Sequence, residues 1–179
     1  MPAHPSRARR AICACRNALR HLCLVKITTK DGVVGWGESI TQFPEANFAT
    51  KAIIEGMAER VVGKDPLGNI AIWHQLRDKK WWYGYRGGIA SYAIAAIDMA
   101  LWDIKGKHAG QPLWQLLGGA RRAIGAYAGG IALGFEPPDA LAEEAAALTA
   151  RGFGALKLRM GDGIDNDCAR VSAVRAALG

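Results

Sequence analysis

A chain of 179 residues, half of them apolar and 22% charged, can bury a core and is too apolar for disorder. It has no apolar run of the roughly 18 residues that a membrane helix needs, which excludes that class and predicts a soluble protein. The net charge of +7 invites a nucleic-acid reading, but seven of the 23 basic residues and none of the 16 acidic ones precede Asp31, and thereafter the two signs balance. The excess therefore belongs to the N-terminal segment and not to a basic patch over the body of the fold.

Residues 1–21 are Arg- and Ala-rich and free of acids, an atypical segment with the composition of a mitochondrial presequence or of a misjoined start, the second being the reading preferred. It holds Cys13 and Cys15, with Cys23 eight residues further on and Cys168 far away. No second ligand pair matches the C-x-C, so the spacing disfavours zinc and predicts reduced thiols in a cytoplasmic protein.

Residues 22–30 alternate and are rich in β-branched side chains, which predicts a strand. Asp31-Gly32 is a hairpin turn leading into a second strand at 33–38. Two antiparallel strands need a third, expected before Leu22. Residues 39–47 read as a loop, followed by a helix over 48–62 that Gly63-Lys64-Asp65-Pro66 stops, and a second helix over 70–78. An aromatic, glycine-rich connector at 81–88 leads into a long helix starting near Ile89 or Ser91. Ile94, Ile97, Leu101 and Ile104 form its buried stripe, and Asp103 and Lys107 are spaced for a surface ion pair. Gly110 ends this helix, and Pro112 opens a short one closed by Gly118-Gly119.

The pattern then changes to a strand at 123–130, a helix from Pro137 to Ala150, a strand at 154–160 and a helix at 165–178. This is the βα alternation of a parallel sheet or barrel. The predicted organisation is an α+β domain over 22–120, antiparallel strands followed by helices, and then the first βα units of an incomplete (β/α)8 barrel over 121–179, where a whole barrel takes roughly 250 residues.

Residues 93–118, AIAAIDMALWDIKGKHAGQPLWQLLG, resemble the signature of the mandelate racemase and muconate-lactonizing branch of the enolase superfamily. The resemblance is carried by Ala93, Asp98, Ala100, Asp103, Gly106, Lys107, Pro112, Leu116 and Leu117-Gly118. Residues 32–38, GVVGWGE, resemble the second and third strands of that family's capping domain. By themselves these signature residues read as packing. Asp98 and Asp103, five positions apart, point to different helix faces and do not form a paired-carboxylate site. Gly-rich pairs without a following Lys-Ser/Thr give no phosphate loop.

The resemblance implies removal of the proton α to a carboxylate, with the enediolate stabilised on Mg²⁺. A Lys-x-Lys pair at the end of the second barrel strand would supply the base and a helper charge. Its counterpart here is Lys157-Leu158-Arg159, with Lys157 and Arg159 as the catalytic candidates on one strand face. Arg159 stands where the base usually is. A guanidinium stays protonated and is suited to binding a carboxylate. That departure favours an acid-sugar dehydratase, with a His-Asp pair on later strands moving the proton, over a mandelate racemase-like racemase or epimerase. A non-catalytic remnant or assembly domain is the reading of another class.

The family's three acidic metal ligands are expected beyond Gly179, so no Mg²⁺ site is expected within this chain, and Asp162, Asp165 and Asp167 read as helix-start acids. The loop at 38–47 resembles the family's specificity loop, making Phe43, Glu45 and Asn47 the substrate-binding candidates. The implied partner is a small carboxylate, an acid sugar or a 2-hydroxy acid, with no nucleic acid or membrane partner, in a homo-oligomer. The aromatic stretch at 81–85 suits the site's mouth less well than a packing surface, and His74 and His108 read as exposed helix residues.

Overall fold

The computed structural model describes residues 7–8, 12–15, 21–39, 43–83, 87–129 and 135–179. They fall into two compact units, residues 1–120 and 121–179.

The first unit is built on one antiparallel sheet. Strand β3 (His21–Thr28) is central. Strand β4 (Val34–Ser39) lies along one edge, from Cys23 opposite Ser39 to Thr28 opposite Val34. On the other edge sit β2 (Ile12–Cys15), with Cys13 opposite Cys23, and the two-residue β1 (Arg7–Ala8). The partner expected before Leu22 is thus present. The segment that composition sets apart supplies it.

Helix α1 (Pro44–Met57) follows. It starts four residues before the predicted boundary, because Pro44 occupies the first helical turn, where a missing N–H costs nothing. Residues 44–47 are therefore helix and not loop. Helix α2 (Asn69–Lys79) is preceded by a short turn in which Asp65 Oδ1 accepts the Leu67 N–H at 2.9 Å. Helix α3 (Gly88–Ala109) is the longest, and it ends at Gly110 in the left-handed region, with φ of 62°. The Gln111 N–H then returns to the Gly106 carbonyl at 3.0 Å. Helix α4 (Leu113–Leu116) is a single turn.

The core forms where α3 crosses the sheet. Ile94, Ile97, Leu101 and Ile104 are all buried, together with Val25 and Ile27 of β3 and Met57, Ile72 and Leu76 of the other helices. On β4 the inward positions are Gly35, Gly37 and Ser39. A Cβ on Gly37 would lie 1.8 Å from the Ala96 carbonyl oxygen, and one on Gly35 would lie 2.0 Å from that of Ala100. Strand and helix therefore meet backbone to backbone, with Ala93, Ala96 and Ala100 completing the small-residue seam.

In the second unit, helix α5 (Pro138–Ala150) connects two extended segments that bridge in parallel at Ala128 and Leu156. The Ala128 N–H donates to Ala155 O at 2.9 Å, and the Lys157 N–H donates to Ala128 O at 2.8 Å. The predicted strands shrink to this single bridge. Gly125, Gly129, Gly152 and Gly154 weaken extended structure here, and parallel pairing is the weaker kind. Helix α6 (Ile164–Leu178) packs on α5 around Leu141, Ala145 and Val174, with Leu148, Leu156 and Leu158 against them.

Candidate active-site residues

Strand alternation sets the face on which Lys157 and Arg159 stand. Leu156 and Leu158 pack towards α5 and α6, so Lys157 and Arg159 lie on the opposite, exposed side. Ala128 shares the buried face with Leu156, which puts Tyr127 and Gly129 beside Lys157. A Cβ on Gly129 would lie 3.3 Å from Lys157 Cβ and 3.1 Å from Tyr127 Cε2. The missing side chain leaves room for the tyrosine ring and the lysine stem to lie side by side. Sequence reading passed over Tyr127; the signal available was its alternation with a buried Ala128. An open, mainly apolar groove of about 410 Å³, with Phe153, Leu156, Leu158 and Val174 in its wall and Thr149 and Arg175 at its polar side, lies on the helix side of the same segment.

Just past this strand, Asp162 and Asp167 meet a buried guanidinium. Arg170 Nη2 donates to Asp162 Oδ2 at 2.8 Å, Nη1 stands 3.6 Å from Asp167 Oδ1, and Nε donates to the Glu136 carbonyl at 2.8 Å. Asp167 Oδ2 accepts the Gly161 N–H at 2.8 Å. Asp165 is exposed. For the divalent ion that the resemblance implies, these residues do not fit: two of the three carboxylates are already engaged by Arg170 and backbone amides. Among the described residues, no three His, Cys, Asp or Glu side chains come together to hold a metal.

In the first unit, Phe43 and Glu45 are exposed, Phe43 as the residue preceding α1 and Glu45 in its first turn. Asn47 lies inside α1, not in a loop as expected, and is 1% exposed within the first unit. Its helical placement follows from Pro44. Residues 40–42 of the predicted specificity loop, and 84–86 of the aromatic connector, lie outside the described residues. Trp81 and Trp82 stack at 4.2 Å between centroids and are exposed, as are His74 and His108.

The two signature aspartates occupy different sides of α3. Asp103 Oδ2 accepts the Trp36 N–H at 2.9 Å and a bond from Lys107 Nζ at 2.7 Å, while Lys107 also donates to the Val34 carbonyl at 2.7 Å. The pair thus closes the outer edge of β4, a structural task beyond the surface pairing that its spacing predicts. Asp98 lies towards α2. Burial raises its pKa above the ordinary 3.8, and the Asn69 side chain beside it pulls the other way.

The unfolded chain releases this proton at lower pH than the folded one. The stabilising contribution of Asp98 is therefore full below the ordinary carboxylate pKa and is lost as pH rises through the folded value. Asp98→Asn should match the parent in acid and become relatively more stable towards neutrality. Melting curves of both proteins between about pH 3.5 and 7 test this; a pH-independent difference would refute it.

The sequence model described as "Mandelate racemase / muconate lactonizing enzyme, N-terminal domain" matches residues 4–118, reaching into the basic N-terminal segment. The D-galactarolactone cycloisomerase of Agrobacterium fabrum (strain C58 / ATCC 33970) is 37% identical over 161 residues, covering 87% of this chain and 41% of that protein. The D-mannonate dehydratase of Caulobacter vibrioides is 39% identical over 142 residues, 79% of this chain and 34% of that protein. Among solved structures, the 3,6-anhydro-D-galactonate cycloisomerase from Zobellia galactanivorans superposes with a TM-score of 0.84 at 32% identity, covering the whole of this chain and 48% of that one. The chain spans under half the length of these relatives. No helix among its described residues is long and apolar enough to cross a membrane.

Proposed function

The chain belongs to the mandelate racemase / muconate lactonizing enzyme family of the enolase superfamily, and on that premise we propose that it is the N-terminal part of an enzyme removing the proton α to a carboxylate, of the acid-sugar dehydratase type. The observation that supports this is the exposed pair Lys157 and Arg159, one residue apart on the side of their strand turned away from the helices. A guanidinium there holds a carboxylate through two parallel N–H bonds and places positive charge where the enediolate develops. It does not accept a proton, so proton transfer falls to Lys157 or to a group outside this pair. Phe43 and Glu45, exposed at the start of α1, are the cap's contribution to substrate choice.

Relatives named hydrophobic dipeptide epimerase, one of them 36% identical over 159 residues, support epimerisation as the second reading. The two separate in one experiment. The chain, completed by the C-terminal half of a dehydratase relative, is incubated with Mg²⁺ and a panel of acid sugars. Dehydration to 2-keto-3-deoxy acids is expected, reduced about 10²-fold or more by Lys157→Ala. Epimerisation without loss of water would establish the second reading, and no turnover of any panel member would favour an assembly role.

A further inference from the structure

We infer that Arg170 is a positioning residue, a clamp that joins the segment leading into α5 to the loop leading into α6 and so sets the end of the extended segment bearing Lys157 and Arg159. The inference rests on the functional reading above for the importance of that pair, and on geometry for the clamp itself. Arg170 is 6% exposed on α6. Its Nε bonds the carbonyl of Glu136, 34 positions earlier and two residues before α5, and its Nη2 bonds the carboxylate of Asp162, three residues beyond Arg159 and two before α6. Nη1 faces Asp167, whose other oxygen holds the Gly161 N–H, two residues beyond Arg159. Phe135 lies 5.9 Å from the guanidinium carbon. Gly161 and Gly163, at φ of 122° and 98°, give the bend that brings the loop back onto the arginine.

Stability alone does not call for this arrangement. A buried ion pair is often no better than apolar side chains of the same volume, and here Nη1 is buried without a hydrogen-bond partner. What arginine supplies is direction: one rigid plane reaching acceptors ahead of α5 and ahead of α6, which a lysine cannot do. Loss of the clamp should therefore be felt at the end of the strand more than in the helices.

The test uses the full chain with Arg170→Met, Arg170→Lys and, should the first fail to fold, Asp167→Asn. Amide exchange at Gly161 and Asp162 should rise about tenfold in Arg170→Met, with exchange in the middle of α5 little changed. The Lys157 and Arg159 amide resonances should shift, and Arg170→Lys should restore neither. In the chain completed by the C-terminal half of a dehydratase relative, with Mg²⁺ present, binding of D-galactonate, used as the acid-sugar probe, should weaken about tenfold. Unchanged exchange at 161–162, or faster exchange with unmoved Lys157 and Arg159 resonances, would overturn the clamp. A completed chain that ignores D-galactonate in the presence of Mg²⁺, or binds it equally well as Arg159→Ala, would instead count against the functional reading, leaving the clamp to be judged on the exchange and resonance results.

Discussion

Gly37→Ala is expected to destabilise the first unit by about 3 kcal/mol or more, towards the upper end of what overpacking costs. The added methyl would stand 1.8 Å from the Ala96 carbonyl oxygen and 3.0 Å from the Ala100 nitrogen. Both are backbone atoms of a helix interior, so no side-chain rotation relieves the clash. Either α3 lifts from the sheet, exposing the Ile97 and Leu101 side of the core, or β4 moves away and loses its pairing with β3. Against a typical domain stability of about 5–15 kcal/mol, either outcome is severe. Gly56→Ala is the matched control. It lies within α1 with open space around the new methyl, and should gain about 0.5–1 kcal/mol from helix propensity. Urea unfolding followed by circular dichroism separates the two. Equal midpoints for Gly37→Ala and parent would mean that the helix does not rest on the strand as described.

Asp103→Ala should be the second large effect, about 2 kcal/mol. The Asp103–Lys107 ion pair is partly exposed and contributes little by itself. The weight lies in the charge-assisted bond from the Trp36 N–H, without which the edge of β4 is left to water or to another strand. Asp103→Asn keeps an acceptor for that N–H and should cost about half as much. Denaturant midpoints give the order, and sedimentation should show self-association in Asp103→Ala alone. An equal loss in the two variants would assign the effect to charge instead of to the backbone bond.

Much of the first unit could be read from residue patterns, because its determinants are local and periodic. The spacing of Ile94, Ile97, Leu101 and Ile104 fixes the buried side of α3, Asp31-Gly32 marks the hairpin, and Gly110 marks the helix end. Proline signals a loop as readily as a first helical turn, so residues 44–47 read as loop where Pro44 in fact opens α1 and Asn47 is buried. In the second unit, alternation placed Lys157 and Arg159 opposite Leu156 and Leu158 correctly, but strand length depends on pairing, which single-strand propensity does not report. Arg170 was the hardest to foresee. An arginine on a helix defaults to solvent, and one of the acceptors that hold it in is the Glu136 carbonyl, 34 residues away.

The 67-residue separation of Trp36 from Asp103 also has a consequence in time. During synthesis the β3–β4 hairpin, closed by a short turn, leaves the ribosome first, while the helix that seals its outer edge has yet to be translated. At roughly 5–20 residues per second, that interval is about 3–13 s. Throughout it the nascent hairpin presents the Trp36 amide and the Val34 carbonyl with nothing of its own chain to meet them. Slowing translation between these two positions should lengthen the exposure and lower the soluble yield, without changing a single residue of the finished protein.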